Sequence, residues 1–300
     1  MELDKTRIVV RERDVFDILD LALQVLRLHF VPLCITLFMG AFPWAILNHL
    51  LLRWMLPGEV NVLDSMEPLG GHVRYLWTMI VLVGIQAPMA SSFSTMYLGK
   101  ALFVERPRLW DTVSDVLRML PRLTWFHVFL RGILLAICLV IAIDRNSPFS
   151  MAETLLLLLF AAVMLRRATC PFLNEIILLE RNPVGSKKPG VVTIRRRLVM
   201  LHGAASRWTV GLTILVGLYA LGLALGLAVA LHAVQGVLFG EWNWHRIGPL
   251  FLWPLAMWGT VAYTTVVRFL GYLDLRIRHE GWEVELRMRA EENRLAESLQ

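Results

Sequence analysis

The residues that could do chemistry in this sequence are polar side chains set inside long apolar runs. One group lies between residues 75 and 98, where Gln86 and Pro88 are followed by Ser91 and Ser92. Proline lacks a backbone donor and clashes with the preceding turn, so Pro88 predicts a kink beside a polar seam. The seam would line a cavity for a carried molecule. Alternatively, its side chains would bond to neighbouring helices or to their own backbone.

Charged residues also interrupt the apolar runs. Arg131 lies inside the predicted span 123–143, and a charge inside a span is by default a hypothesis of function. The alternatives are that its long side chain reaches the interface, or that it pairs with Glu175 or with a backbone carbonyl. Glu175 and Glu180 end another apolar run, where a buried carboxyl would carry a proton or pair with a cation. A simpler interpretation pairs both acids with the arginines at 195–197.

Two groups of charged residues outside the apolar runs are candidates for binding lipid or a partner protein. They are a basic segment and a tail motif: Lys187, Lys188, Arg195, Arg196, Arg197, Asp274, Arg276, Arg278 and Glu280. Each basic residue near an anionic lipid surface adds on the order of 1 kcal/mol of attraction. The alternative for the basic segment is ordinary topological charge. In the tail, Asp274 and Arg278 stand one helical turn apart, as do Arg276 and Glu280, which predicts ion pairs along the helix.

The sequence contains no catalytic or metal-binding motif that we recognise. The eight histidines form no HExxH pattern or His/carboxylate cluster, and Cys34, Cys138 and Cys170 form no CxxC pair. A glycine-rich phosphate loop, a GxSxG elbow and a paired-carboxylate signature are likewise missing. We therefore expect no enzymatic activity, no cofactor and no metal. The cysteines are expected to be small buried hydrophobic side chains.

Long apolar segments must position these residues. With 57% hydrophobic and 18% charged residues over 300 positions, the chain is too apolar for an ordinary soluble domain. The apolar runs predict an all-α bundle of six transmembrane helices, at about 30–56, 75–98, 123–143, 151–170, 209–234 and 247–270. The fifth run has no charged residue, and Gly222 and Gly226 stand one turn apart in it. This spacing of small residues predicts a central helix with close neighbours.

Three shorter segments with apolar residues at helical spacing precede alternate spans. They begin near residues 14, 108 and 191, and each predicts an amphipathic helix in the cytoplasmic interface. In the first, Ile18, Leu19, Ala22 and Val25 share the apolar face. The unit of amphipathic helix, span, turn and span thus occurs three times, which predicts a threefold structural repeat.

The basic residues predict how the chain is oriented. Most of the 30 lysines and arginines lie in the segments 1–29, 99–122, 166–207 and 268–300. By the positive-inside rule both termini are cytoplasmic, in a bacterial inner membrane. The predicted organisation is a cytoplasmic N-terminus at 1–29, a membrane domain at 30–270 and a charged helical tail at 271–300. Because topology accounts for the net charge of +6, we expect anionic lipid headgroups as partners and no nucleic acid.

Three stretches carry a resemblance to a known group of proteins. They are DVFDILDLALQVLRLHFVPL at 14–33, the segment from Ile176 to Trp208, and YLDLRIRHEGWEVE at 272–285. They resemble bacterial polytopic membrane proteins grouped with the membrane domain of glycerophosphoryl diester phosphodiesterases, and related six-span families. The resemblance implies a six-span fold and an accessory role at the cell envelope. The hydrolase that gives the family its name is a separate soluble domain, to which nothing in this sequence is similar.

Two main hypotheses of function follow. The first is a non-catalytic scaffold or accessory subunit of cell-envelope machinery, whose amphipathic helices and tail dock a membrane-protein partner. The alternative is a carrier or lipid-handling protein that uses a path on spans 2 and 3, formed by Gln86, Ser91, Ser92 and Arg131. A membrane enzyme is a third hypothesis. A continuous polar cavity reaching Arg131 and Gln86 would favour the carrier, and a closely packed core would favour the scaffold.

Overall fold

A computed structural model describes residues 14–56, 68–104, 107–144, 147, 149–185, 192–203, 206–240, 242 and 248–280. For residues 68–70, 202, 203, 206–208, 279 and 280 it describes the backbone alone. Over these ranges the chain forms α-helices and no strand, so the predicted all-α class is confirmed.

Eleven α-helices follow one another along the described chain. They are α1 Val15–Leu28, α2 Phe30–Leu52, α3 Pro68–Ala90, α4 Ser92–Ala101, α5 Leu109–Thr124, α6 Ile133–Ile141, α7 Met151–Thr169, α8 Leu173–Glu175, α9 Ile194–Gly203, α10 Ser206–Phe239 and α11 Trp253–Glu280. A 3-10 turn extends α2 at Arg53–Met55. Turns of π-helix lie at Trp125–Leu130, Ile176–Glu180 and Gly248–Leu252.

Several of these helices are long and apolar enough to cross a membrane. Among the described residues there are four: Phe30–Met55, Gly71–Ala90, Thr209–Phe239 and Gly248–Arg278. Two bent pairs raise the number to six if each is one span: Leu109–Leu130 with Ile133–Ile141, bent by 50°, and Met151–Thr169 with Leu173–Glu180, bent by 66°. The chain is therefore compatible with an integral membrane protein by length and composition. The six-span count, the inner membrane and the cytoplasmic termini stay predictions.

The second predicted span is interrupted where the sequence predicts a kink. Pro88 has no N–H to donate to the carbonyl of Gly84, and α3 ends two residues later at Ala90. Ser91 forms the break, and α4 begins at Ser92. This kink is a local consequence of one proline.

The break in the third predicted span was not expected, whereas the break after α7 coincides with the predicted end of the fourth span at residue 170. Gly132 has φ of +79°, a left-handed backbone conformation that favours glycine, and it separates the π-helical turn from α6. At the end of α7, Cys170 leaves the helical region just before Pro171. A residue that precedes proline is disfavoured in the α conformation, so the helix ends there.

Two hydrophobic clusters fill the bundle. The first joins α1, α4, α5, α8, α9 and the second half of α11, with Ile18, Val116, Ile194 and Tyr272 among its buried members. The second joins α2, α3, α6, α7 and the first half of α11. We call α1, α5 and α9 the collar, since all three contribute to the first cluster. They form where amphipathic helices are predicted, while their interfacial placement and the threefold repeat stay predictions.

The apolar face of α1 is covered by protein. Ile18, Leu19, Ala22 and Val25 are all buried in the first cluster, as their spacing predicts. The hydroxyl of Tyr263 on α11 donates to the backbone oxygen of Leu19 at 3.1 Å. The apolar face of α1, which was expected to lie against the membrane interface, therefore packs inside the protein.

The helix predicted to be central lies at the periphery. Only 11% of the most apolar stretch of α10 is buried. A Cβ added at Gly222 or Gly226 would meet no described atom within 4 Å, so these glycines allow no close helix packing. The prediction was wrong because small residues at helical spacing permit close packing but do not require it, and most of the most apolar stretch of this helix faces outward. A second row of small residues, Ala224 and Ala228, does face the protein and is buried.

One smaller expectation also needs correction. The three cysteines were expected to be buried. Instead, Cys34 and Cys138 are exposed on the protein surface, and Cys170 is partly buried. The boundary predicted between 270 and 271 stays a prediction, and α11 continues through it without interruption to Glu280. Tyr272 and Leu275, beyond that boundary, are buried in the first cluster.

Candidate functional site

A buried ion pair between Arg268 of α11 and Glu175 of α8 lies in the interior of the bundle. Nε of Arg268 donates to Oε1 of Glu175 at 2.7 Å, and the two side chains are 9% and 0% exposed. Nη2 of Arg268 also donates to Oγ of Ser91 at 3.2 Å and to Oγ1 of Thr95 at 3.0 Å. A buried charge is tolerated only when it is paired and hydrogen-bonded, and these three acceptors from α4, α8 and the Ser91 break meet that need.

Arg268 is not among the residues singled out from the sequence. It stands near the end of the last apolar run, where an arginine usually marks the edge of the membrane. The signal that could have found it is Glu175, a carboxylate in an apolar run that needs a cation. That reasoning leaves several arginines as partners, because nothing local relates residue 268 to residue 175.

The two acids predicted to meet the arginines at 195–197 behave differently. Glu180 receives Arg197 through Nε at 2.5 Å and Nη2 at 2.8 Å, as predicted. It also accepts from the hydroxyl of Tyr272 at 2.7 Å. Glu175 pairs with Arg268 instead. Its second oxygen, Oε2, is buried and has no hydrogen-bond partner among the described residues.

Arginines donate to backbone oxygens at the breaks between helices. Nη2 of Arg131 donates to the oxygen of Cys170 at 3.0 Å, in agreement with the carbonyl alternative for this residue. Nη1 of Arg167 donates to the oxygen of Gly84 at 3.3 Å. An N–H at position 88 would normally reach that oxygen, so the guanidinium replaces the donor that Pro88 lacks.

Most of the predicted polar seam is bonded within the protein. Gln86 and Asn48 exchange two hydrogen bonds of 2.8 Å, with both side chains fully buried. Ser91 and Ser92 each donate to the backbone oxygen of Pro88 at 3.2 Å. These contacts match the alternative in which the seam joins helices.

Asn174 adds a contact to the same break. Its Nδ2 donates to the oxygen of Pro88 at 2.5 Å, and its Oδ1 lies 2.5 Å from Nε2 of His127. Both side chains are buried. The break at Ser91 is thereby joined to α8 and to the π-helical turn Trp125–Leu130.

A cavity of about 230 Å³ lies between α3, α7, α10 and α11. It exists because small residues face one another across it: Gly84 and Ala87 on α3, and Gly217, Ala220 and Ala224 on α10. The remaining wall is mostly apolar.

Arg167 and Arg268 both line this cavity. The lining residues Gly217 and Leu221 of α10 are exposed, so the cavity is open at the surface beside this helix. It therefore joins an apolar, laterally open space to two guanidinium groups.

The predicted path through Gln86 and Arg131 does not coincide with this cavity. Neither residue lines it, nor do Ser91 and Ser92. Gln86 is held by Asn48, and Arg131 is directed to the backbone at Cys170. The polar path is therefore replaced by an apolar cavity bordered by two arginines that were not predicted.

The basic segment is described in part. Arg195 and Arg196 are exposed on α9, whereas Arg197 is half-buried against Glu180. Lys187 and Lys188 lie outside the described residues. Exposed arginines are free to meet lipid headgroups, but specific lipid binding stays a prediction.

Of the two ion pairs predicted in the tail motif, the structure describes the one between Asp274 and Arg278. Nε of Arg278 donates to Asp274 at 2.8 Å, one turn along α11. The guanidinium of Arg276 lies 5.9 Å from the ring centre of Tyr272. The side chain of Glu280 and residues 281–300 lie outside the described part of the chain.

Among the described residues, no group of three or more His, Cys, Asp or Glu side chains could hold a metal ion.

Comparison with known proteins adds no relative. No protein-family model matches the sequence, and no curated protein or solved structure matches it either. The resemblance to the six-span membrane families therefore stays a prediction from the three motifs.

Proposed function

We propose that this is an integral membrane protein that binds part of an amphiphilic lipid molecule in the cavity between α3, α7, α10 and α11. This is the lipid-handling alternative, transferred from the predicted polar seam to the cavity. The observation that carries it is the cavity itself, which is apolar along its walls, open beside α10 and bordered by Arg167 and Arg268.

The position of the opening supports a ligand that comes from the bilayer. α10 is mostly exposed and apolar, so lipid is the medium beside it. Gly217 and Leu221 lie both on that surface and on the cavity wall. An acyl chain entering there would exchange one apolar environment for another, while a polar solute would have to leave water first.

The size of the cavity limits what it can enclose. Pockets that bury most of a drug-sized ligand measure about 300–1,000 Å³. The volume here is about 230 Å³, which is below that range. The proposed ligand therefore inserts one part of the molecule and leaves the rest beside α10.

A scaffold role remains the second candidate, and the collar supports it. Tyr263 ties α11 to α1, and Glu180 ties α9 and α11 together. On α5 the apolar side chains of Trp110 and Leu117 are 79% and 52% exposed. A firmly packed collar with exposed apolar groups suits an accessory subunit at the cell envelope, bound to a membrane protein through α5. A bacterial inner membrane and cytoplasmic termini belong to this proposal as well.

Photocrosslinking of the purified full chain tests the lipid-binding function. The probes are a long-chain fatty acid and the matching fatty alcohol, each with a diazirine in the tail. We expect labelled peptides from α3, α7 and the cavity side of α10. Ala220→Phe, which fills the cavity, should remove most of this labelling. Gly222→Phe is the matched control, because it places the same ring in open space on the same helix.

The opposite pattern would reject lipid binding in the cavity. Label spread over the outer face of α10, with no difference between Ala220→Phe and the unmodified chain, would mean that the probe only samples the lipid-facing surface. The scaffold role would then be the better account of the fold.

A further inference from the structure

We propose that the ligand of this cavity carries an anionic headgroup, a carboxylate or a phosphate, and that Arg167 and Arg268 bind it. The inference rests on the proposed function and adds the chemical class of the ligand.

Both arginines have donors to spare. A guanidinium has five N–H donors in a planar fork that matches carboxylate and phosphate groups. Within the described residues, Arg167 makes one hydrogen bond, to the oxygen of Gly84. Arg268 uses Nε and Nη2, and the described part of the chain offers no acceptor to its Nη1. Because the surroundings are mostly apolar, unpaired guanidinium donors are costly there, and a hydrogen-bond acceptor placed in the cavity would be strongly favoured.

The charges of the interior point the same way. Arg131, Arg167 and Arg268 interact electrostatically with one another, and Glu175 is the carboxylate that interacts with both Arg131 and Arg167. Three cations therefore share a single buried anion in the described structure. Repulsion between like charges is strong where water is scarce. A ligand that brings a negative charge between Arg167 and Arg268 would offset it, whereas a cationic headgroup would increase it.

The arrangement also orients the ligand. The two arginines come from α7 and α11, and the opening lies at Gly217 and Leu221 of α10. The headgroup would sit at the arginines, with the adjoining part of the chain along the apolar wall. The small volume leaves the rest of the chain outside, beside α10. Ligands with one free chain suit this geometry better than ligands that must be enclosed whole.

Binding measurements with matched ligands test the inference. The purified full chain in neutral detergent is titrated with a long-chain fatty acid in its ionised form, with the fatty alcohol of equal length, and with a lysophosphatidic acid. Inorganic phosphate alone is the arm that separates a lipid headgroup from free phosphate. We expect both anionic lipids to bind about tenfold or more tightly than the alcohol, since hydrogen bonds to charged groups are the stronger kind. Inorganic phosphate should not compete with them.

Arg167→Gln is the variant of choice, because its single hydrogen bond makes it less necessary for folding than Arg268. We expect it to weaken binding of the anionic lipids by about tenfold and to leave the alcohol unchanged. Arg167→Lys keeps the charge and should restore part of the difference. The matched control is Arg166→Gln, since Arg166 is the next residue, is exposed and does not line the cavity.

Each result decides something definite. Equal binding of acid and alcohol would overturn the anionic headgroup and leave lipid binding intact. Failure of all the lipids to bind would overturn the proposed function together with this inference. An anionic preference that survives Arg167→Gln, or that Arg166→Gln reduces as much as Arg167→Gln does, would reject the assignment of Arg167. Thermal unfolding in the same detergent shows that each variant is folded before binding is compared.

Discussion

The candidate spans Thr209–Phe239 and Gly248–Arg278 follow one another and are of equal length, 31 residues each, yet one is largely exposed and the other largely buried. The first is the more apolar, and only 11% of its most apolar stretch is buried. The second is less apolar, and the corresponding share is 56%. In a membrane the most hydrophobic helix is the one that lipid can cover. The helix surrounded by protein carries the polar contacts that hold the bundle together.

The polar side chains of α11 show what this second role requires. Tyr263 reaches α1, Arg268 reaches Glu175, and Tyr272 reaches Glu180. α10 contributes small residues to the cavity and leaves Gly222 and Gly226 facing outward. The cavity lies where the largely exposed helix α10 meets the largely buried helix α11.

The largest expected effect is the loss of Arg268. Arg268→Met leaves the carboxylate of Glu175 buried without its cation, so the free energy of unfolding should fall by about 3–5 kcal/mol. The measurement is an unfolding titration in mixed detergent. Adding Glu175→Met to the same chain should recover much of the loss, because no unpaired charge remains. A double variant as unstable as the single one would show that the ion pair is not what makes α11 central.

A glycine substituted in each helix gives a matched comparison of packing. A Cβ at Gly271 on α11 would lie 3.0 Å from Leu212 and 3.6 Å from Phe172. Gly271→Ile should therefore cost about 1–3 kcal/mol through overpacking. Gly222→Ile on α10 should cost far less, since it points into open space. Equal losses in the same unfolding titration would contradict the peripheral position of α10.

Tyrosine hydroxyls provide a finer comparison. Tyr272→Phe removes one of the donors to Glu180 but leaves Arg197 in place, so the expected loss is about 1 kcal/mol. Tyr219→Phe on α10 changes a residue that is 41% exposed and keeps its ring, which lies 5.4 Å from that of Tyr263, so it should cost less. Thermal unfolding of the two variants side by side measures the difference, and a reversed order would count against the role of Tyr272 in joining α11 to the collar.

The smallest effect is expected from alanine at the outward glycines. Gly222→Ala with Gly226→Ala should leave stability unchanged or raise it by about 0.5–1 kcal/mol per site, because alanine is the better helix former. The oligomeric state is measured at the same time by light scattering in detergent. A loss of stability or a change in oligomeric state would show that this face of α10 contacts another protein, and would break the comparison with α11.

The sequence predicts features that depend on neighbouring residues. The helices follow from the apolar runs, the interruption near residue 90 follows from Pro88, and the pair between Asp274 and Arg278 follows from their one-turn spacing. The buried face of α1 follows from the spacing of Ile18, Leu19, Ala22 and Val25. Each of these is decided within a few turns of one helix.

Features that depend on the arrangement of distant helices could not be predicted. Arg268 and Glu175 are 93 residues apart, and their pairing is decided only when α8 and α11 meet. The cavity depends on small residues of α3 and α10 that face each other across the bundle. α10 was expected to be central because its glycines allow close packing, but lipid offers an apolar helix an equally good neighbour.

The contact between Arg167 and the oxygen of Gly84 gives Pro88 a partner in another helix. Any residue other than proline at position 88 would return an N–H to that oxygen and release the guanidinium. Conversely, loss of the Arg167 guanidinium would leave the oxygen of Gly84 with no donor, because Pro88 has no N–H to offer it. We therefore expect positions 88 and 167 to vary together, so that in related sequences the proline and the arginine should be kept, or lost, as a pair.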